Sequence, residues 1–300
     1  MAYQGDPNFL ERQVEFVIQA VLMARCMWGG PLIMQVPDEQ KTGADGYARK
    51  VYPLFMQFKR SSWIKSGYGG SAIPVLKDRK SLKAKGHDWA LYFKVHPMGQ
   101  KAKDFQHNIL LKLDSKLTKT TGRAQGRAVY VAPLFINKGP YIRAAVRACI
   151  VASIKAGLNP LTGLFPKGLM TVFNFGSVGK IPLIDNHVCF PPTSLITSPD
   201  HFYSYSRKGE DIVFHSPVRQ GEGRSSLGIW LDHHFSQMRD GEGFYDVDEL
   251  AHIFRDFLRE HEDVFPVGED DVEAEPLARV ATILREVYAI EFVTFRTRTR

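Results

Sequence analysis

The amino-acid sequence predicts an α/β protein built on a mixed central sheet flanked by helices, with a C-terminal, partly helical elaboration. Three observations predict it. Apolar residues recur every three or four positions in some segments and alternate every second position in others. Through residue 135 these segments run helix, strands, helix, strand, an interleaving typical of a sheet covered by helices. Beyond residue 158 the signals shorten and become mainly helical and acidic. Residues 1–158 are therefore expected to form the core, and residues 159–300 an elaboration or second subdomain with acidic helices.

The first helix is expected over residues 7–26. Leu10, Val14, Val17 and Val21 form its apolar stripe, widened by Phe16, Ile18 and Leu22, and Asp6 is placed to cap it ahead of Pro7. Gly29 and Gly30 end it. Residues 32–36 read as a short strand closed by Pro37, and residues 47–50 as the start of a second. The clearest strand is 51–60, with Leu54, Met56 and Phe58 on one face and Phe55, Gln57 and Lys59 on the other. Residues 61–88, rich in Pro, Gly, Ser and Lys, read as a loop. Residues 89–96 (WALYFKVH) form a buried strand, 104–117 a helix, 127–135 (RAVYVAPLF) a strand and 140–156 a helix. Farther on, short strands are expected over 202–205 and 211–214, helices over 247–259 and 273–288, and a last strand over 290–295. No fixed-period repeat is visible.

The chain has 300 residues, 44% hydrophobic and 24% charged, which suffices for a sizeable core and excludes a disordered polymer. No run approaches the ~18 consecutive apolar residues of a membrane span. The nearest, residues 9–27, is broken by Glu11, Arg12, Glu15, Gln19 and Arg25. The first residues lack the basic region and apolar run of a signal peptide, so a cytoplasmic location is expected. Cys26, Cys149 and Cys189 form no CxxC pair and read as reduced thiols. The net charge of +7 is unevenly spread: residues 49–127 hold 18 Lys and Arg against 4 acids, whereas residues 240–275 hold 14 acids against Arg255 and Arg259. The basic block predicts a nucleic-acid partner. The acidic half offers a surface to a basic protein, and self-association stays open.

Residues 37–60 (PDEQKTGADGYARKVYPLFMQFKR) carry the chemistry. Asp45 sits on a glycine-bounded turn, Glu39 lies six residues earlier, and Gln57 and Lys59 share one strand face. A magnesium-dependent phosphodiesterase needs such a set. Mg²⁺ binds through one or two carboxylates, waters and substrate phosphates. It lowers the pKa of a bound water and stabilises the departing oxyanion. A lysine beside it orients the water and offsets the charge growing on phosphorus.

Gly43-Ala44-Asp45, followed by a strand bearing Gln57-Phe58-Lys59, resembles the D…(E/Q)xK pattern of the PD-(D/E)XK nuclease superfamily. The resemblance implies an αβββαβ restriction-endonuclease-like core. It implies Asp45 and Gln57 as metal ligands, with Glu39 nearby, and Lys59 as the water-positioning base or electrophile. It also implies Glu11 or Glu15 as the helix acid that completes the site, and Mg or Mn as cofactor. Gln57 stands where most members carry an acid, which predicts weaker metal binding. The chain is also similar to a group of bacterial proteins that pair a GAD or GYD…QFK segment with a VYYVAP-like strand, matched here by VYVAPLF, Val129 to Phe135. That similarity implies no particular activity.

Other motifs are weaker. His233 and His234 follow Asp232 and diverge in either a strand or a helix, so solvated imidazoles in a loop or strand end are expected. His107 reads as a satisfied core or rim histidine. Residues 67–71 (GYGGS) lack the Lys-Ser/Thr ending of a phosphate loop. Trp63, Lys65 and Tyr68 interleave with later lysines as a strand-binding flap would. Arg60, Lys65 and Lys94 are the expected nucleic-acid contacts. Three functions compete: a metal-dependent nuclease acting in defence against foreign DNA or RNA, a catalytically degenerate module of that fold that binds nucleic acid or protein, and a scaffold with no nucleic-acid role.

Overall fold

The computed structural model describes residues 4–27, 32–35, 50–65, 89–121, 126–155, 181–209, 212–214, 226–264 and 276–297. These form an α/β fold with a mixed, curled central sheet between helices, as the sequence predicts. No helix among them is long and apolar enough to cross a membrane.

Helix α1 spans Glu11–Met27. Val14, Ile18, Val21 and Leu22 are buried, as the expected stripe requires, but Leu10 and Phe16, assigned to the same stripe, are 62% and 72% exposed, so the core face is narrower than the spacing implied. The helix begins four residues later than expected. Gln13 Oε1 instead accepts from Leu10 N–H (3.0 Å), half of a capping box, and Asp6 accepts from Ser62 Oγ (2.5 Å).

Strand β1 is Gln4–Gly5, β2 Leu32–Gln35 and β3 Lys50–Phe58. Strand β4, Ser62–Lys65, lies within the expected loop. It forms because Trp63 and Ile64 pair with Leu91 and Ala90 of β5, Trp89–Lys94, and cover sheet surface that a free loop would leave open. Helix α2 is Gln106–Thr121, β6 Ala128–Pro133 and α3 Lys138–Lys155. The short helix α4, Pro182–Asp185, leads into β7, His187–Phe190. Strand β8, Phe202–Ser206, and β9, Val213–Phe214, fall where strands were expected.

Helix α5, Leu227–Arg239, stands where a loop or strand end was expected for the paired histidines. Ser226 caps it by accepting from Ile229 N–H, and Leu227, Leu231, Phe235 and Met238 fill its buried side. Strand β10 is Tyr245–Asp246. The next expected helix is two, α6 Val247–Ile253 and α7 Arg255–Glu260. They part at Phe254, whose ring packs edge-on against Phe55 (5.8 Å) and Phe292 (6.3 Å). Helix α8, Pro276–Tyr288, closes with Ala289 at φ 49, a left-handed cap in which Ile290 N–H bonds Leu284 O (2.9 Å). Strand β11, Glu291–Thr297, ends the described chain.

The central sheet runs β2-β11-β3-β6-β7, with β10 also on β3. Strands β3 and β6 are parallel, Gln57 opposite Tyr130, while β11 is antiparallel to β3, Glu291 opposite Met56. A second sheet, β1-β4-β5-β8-β9, is wholly antiparallel. Alternation along β3 divides two cores. Tyr52, Leu54, Met56 and Phe58 pack with α1, α3, α4 and α5, whereas Val51 and Phe55 pack with α2, α8 and the second sheet. Eight of the nine β3 residues are buried. Each fully buried Leu or Phe stabilises the fold by about 1.5–3 kcal/mol relative to exposure. This strand therefore anchors whatever side chains its C-terminal end presents.

Candidate functional site

Gln57 and Lys59 stand at that end. Gln57 shares the face of its parallel partner Tyr130. Lys59, one residue past the strand, is held by its own N–H to Val131 O (2.9 Å). Its Nζ donates to Gln106 Oε1 at 3.1 Å and lies 6.0 Å from the centre of the Tyr130 ring. Gln57 and Lys59 thus face α2 together, as alternation predicted, and each is only 1% exposed.

Their burial has different consequences. Lys59 loses solvation, which pushes its pKa down to about 8, and the Glu11 carboxylate partly opposes the fall. Gln57 has both amide atoms buried with no hydrogen-bond partner among the described residues. An unmade buried hydrogen bond costs about 1–3 kcal/mol, so the Gln57 amide does not stabilise this part of the fold.

Glu11 reaches this site from the first turn of α1. One oxygen accepts from Arg60 N–H (3.4 Å), and the other lies 3.5 Å from His96 Nε2. Burial pushes the Glu11 carboxyl up, but the hydrogen bond from His96 and the charge of Lys59 outweigh it and hold the group below its ordinary value. Glu15, one turn on, stands elsewhere. Its carboxyl hydrogen-bonds that of Glu291, whose strand partner Met56 points away from the Gln57 face. Burial and the Glu291 charge push Glu15 up to about 7, against Arg285 and Arg12. Gln19 Nε2 donates to Glu291 Oε2 at 3.0 Å, and Arg285 Nε lies 3.5 Å from Oε1.

A cleft of about 140 Å³ is lined by His96, Asp104, Gln106, Tyr288 and Ala289 among others, and the buried Lys59 lies behind Gln106 rather than in its lining. Gln106 joins cleft and lysine: its Oε1 holds Lys59, and its Nε2 donates to the Tyr288 carbonyl. Gln106, His96 and Glu291 were not singled out from the sequence. No periodicity marks a glutamine at a helix start as meeting a lysine 47 residues away, or a histidine after a strand as meeting Glu11.

The other expected residues lie as follows. Asp45 and Glu39 fall outside the described residues. Arg60 is half-buried beside Glu11. Lys65 Nζ rests 5.3 Å from the Trp89 ring centre. Lys94 pairs with Asp200 (2.9 Å) and lies over Phe202. Among the described residues no group of three or more His, Cys, Asp or Glu could hold a metal ion.

His107 is the satisfied core histidine expected. It bonds Tyr130 OH (3.0 Å) and the Ser194 carbonyl (2.8 Å), and burial pushes its pKa down to about 4. His234 is not the solvated imidazole expected. It is fully buried, with Nδ1 2.6 Å from Tyr52 OH, and burial, then Arg127 and His233, push it down to about 3. Its neighbour His233 is exposed, because a helix turns consecutive side chains ~100° apart. Cys189 is buried, and burial pushes its thiol pKa up, which suits an inert core thiol. Compared with family models, with curated proteins and with solved structures, the chain matches none.

Proposed function

We propose that the chain is a metal-dependent nuclease that hydrolyses phosphodiester bonds in DNA or RNA. The observation that carries this is Lys59, enclosed beside the orphaned Gln57 amide, held by Gln106, which lines the cleft, and facing the Glu11 carboxylate. Lys59 orients the attacking water and offsets the negative charge that grows on phosphorus. Glu11 favours the charged lysine, and Gln106 fixes the direction of its Nζ. Gln57 Oε1, a buried oxygen with no donor among the described residues, suits a hard cation. Gln57, together with Asp45 and Glu39, would hold Mg²⁺ or Mn²⁺, which supplies an acidified water and stabilises the leaving oxyanion.

A second reading is favoured by a specific observation: Gln57 and Lys59 are almost wholly enclosed, and Gln57 replaces an acid. It is a catalytically degenerate module that binds nucleic acid or protein. Purified protein incubated with plasmid DNA and single-stranded RNA, with Mg²⁺ or Mn²⁺ and with EDTA, separates the two. The nuclease cleaves only with metal and is abolished by Lys59→Ala and by Asp45→Ala. Salt-sensitive binding without cleavage under any metal supports the degenerate module. Cleavage undiminished in both variants places the chemistry elsewhere.

A further inference from the structure

One end of the β4–β5–β8 strands of the second sheet carries an arrangement that the cleft does not use. Trp63 on β4 and Trp89 on β5 are diagonal neighbours with ring centres 4.7 Å apart, tilted by 45°. Trp63 packs on its other side against Gly5 of β1, where an added Cβ would come within 2.8 Å of the ring. Trp89 meets no aromatic beyond Trp63 among the described residues. Two cations rest on it instead: Lys65 Nζ at 5.3 Å and Arg207 Cζ at 5.8 Å from the ring centre. Lys65 lies directly across the strand pair from Trp89, and Arg207 follows the end of β8. Neither cation forms an ion pair with a carboxylate among the described residues, unlike Lys94, Lys103 and Lys112, which all do.

A tryptophan buried only for stability has its faces covered by apolar side chains. Here long, flexible, charged chains rest on the half-buried Trp89 ring, and Arg207 is exposed. Such chains swing away at little cost and offer the ring together with two positive charges that form no ion pair among the described residues. An unpaired base stacks on such a surface while the flanking phosphates take the cations. A duplex keeps its bases stacked on one another and offers only its backbone. Trp63 follows Lys59 by four residues of chain, at most about 14 Å, so the platform and the cleft lie along one strand path.

We propose that Trp63 and Trp89, with Lys65 and Arg207, form a stacking platform that selects single-stranded nucleic acid. This rests on the nucleic-acid part of the proposed function and is independent of catalysis. The test is fluorescence anisotropy at low salt with three labelled ligands of equal length: an oligothymidylate, the same backbone without bases, and a duplex. The wild-type chain binds the oligothymidylate about 10-fold or more tighter than the abasic strand, and tighter than the duplex. Trp89→Leu removes that preference and leaves abasic binding unchanged, whereas Trp89→Phe keeps part of it. Lys65→Ala and Arg207→Ala weaken all three ligands alike and flatten the salt dependence. Equal wild-type affinity for the abasic strand, or a preference for duplex, overturns the platform while leaving nucleic-acid binding intact. A preference for bases that survives in folded Trp89→Leu also overturns it. Absence of binding to any of the three overturns the platform and the nucleic-acid reading together. The wild-type comparison needs no variant, so a folding defect in Trp89→Leu does not blunt it.

Discussion

Glu15→Gln tests how α1 is held to the central sheet. Glu15 and Glu291 face each other across the α1–β11 contact and share a hydrogen bond that requires one of them to be protonated. Burial, then the Glu291 charge, push Glu15 from 4.5 to about 7. Between those values the folded chain binds more protons than the unfolded chain, so stability falls as pH rises through this window. Taken in full, the shift corresponds to about 3 kcal/mol at 1.36 kcal/mol per unit. Glu15 is only half-buried and Arg12 and Arg285 stand nearby, so solvent screening reduces the effect to roughly 1–2 kcal/mol. Glutamine keeps the shape and donates permanently to Glu291. Glu15→Gln should therefore match wild type in thermal stability near pH 4.5 and exceed it at pH 8, by about 2–4 °C. Melting curves of both proteins from pH 4.5 to 8, followed by circular dichroism, measure the difference. A gap between them that is constant with pH, or a Glu15→Gln protein less stable at pH 8, would refute the shared proton.

Four further outcomes follow from the site and its frame. Lys59→Met removes a buried charge and should raise stability at pH 7 by about 1–2 kcal/mol while abolishing cleavage; a fall in melting temperature would make Lys59 structural. The depressed lysine also predicts a wild-type pH–rate profile that inflects near 8, rising if the neutral amine acts as base and falling if the ammonium acts as electrophile. Gln57→Leu should stabilise by about 1 kcal/mol or more because it removes an orphaned amide, and Gln57→Glu should tighten metal binding in a calorimetric titration; destabilisation by Leu would mean that the amide is satisfied in solution. Ala289→Gly should stabilise by about 0.5–1 kcal/mol in urea unfolding, since Ala289 occupies the left-handed region that glycine adopts freely.

One part of the candidate site, the pair Gln57 and Lys59, was legible. Alternation placed Gln57 and Lys59 on one face before any coordinates, because a β-strand sends every second side chain the same way. The same rule separated them from Leu54, Met56 and Phe58, which the structure puts in the other core. Glu11 and Glu15 were indistinguishable in sequence, being one helical turn apart. Their divergence depends on where the helix meets Arg60 and Glu291, contacts 49 and 276 residues away along the chain. The α5 helix was also readable, through Ser226 as cap and the 4-4-3 spacing of Leu227, Leu231, Phe235 and Met238, but the paired histidines drew the eye to a strand or loop.

The sequence by itself determined the class of fold, the type of most elements and the strand that carries Gln57 and Lys59. These follow from local periodicity, and periodicity needs only neighbours within a turn or a pleat. Tertiary structure alone decided the strand order. Strand β11 lies between β2 and β3, so the last described residues sit inside the first sheet. It likewise decided that a segment rich in loop residues supplies β4, that Gln106 and not a carboxylate holds Lys59, and that two tryptophans 26 residues apart meet across the β4–β5 pair. Each of these is a contact between segments distant along the chain. Its free energy comes from burying surface and pairing polar groups against particular partners, and nothing in the local spacing of side chains encodes which partner that will be.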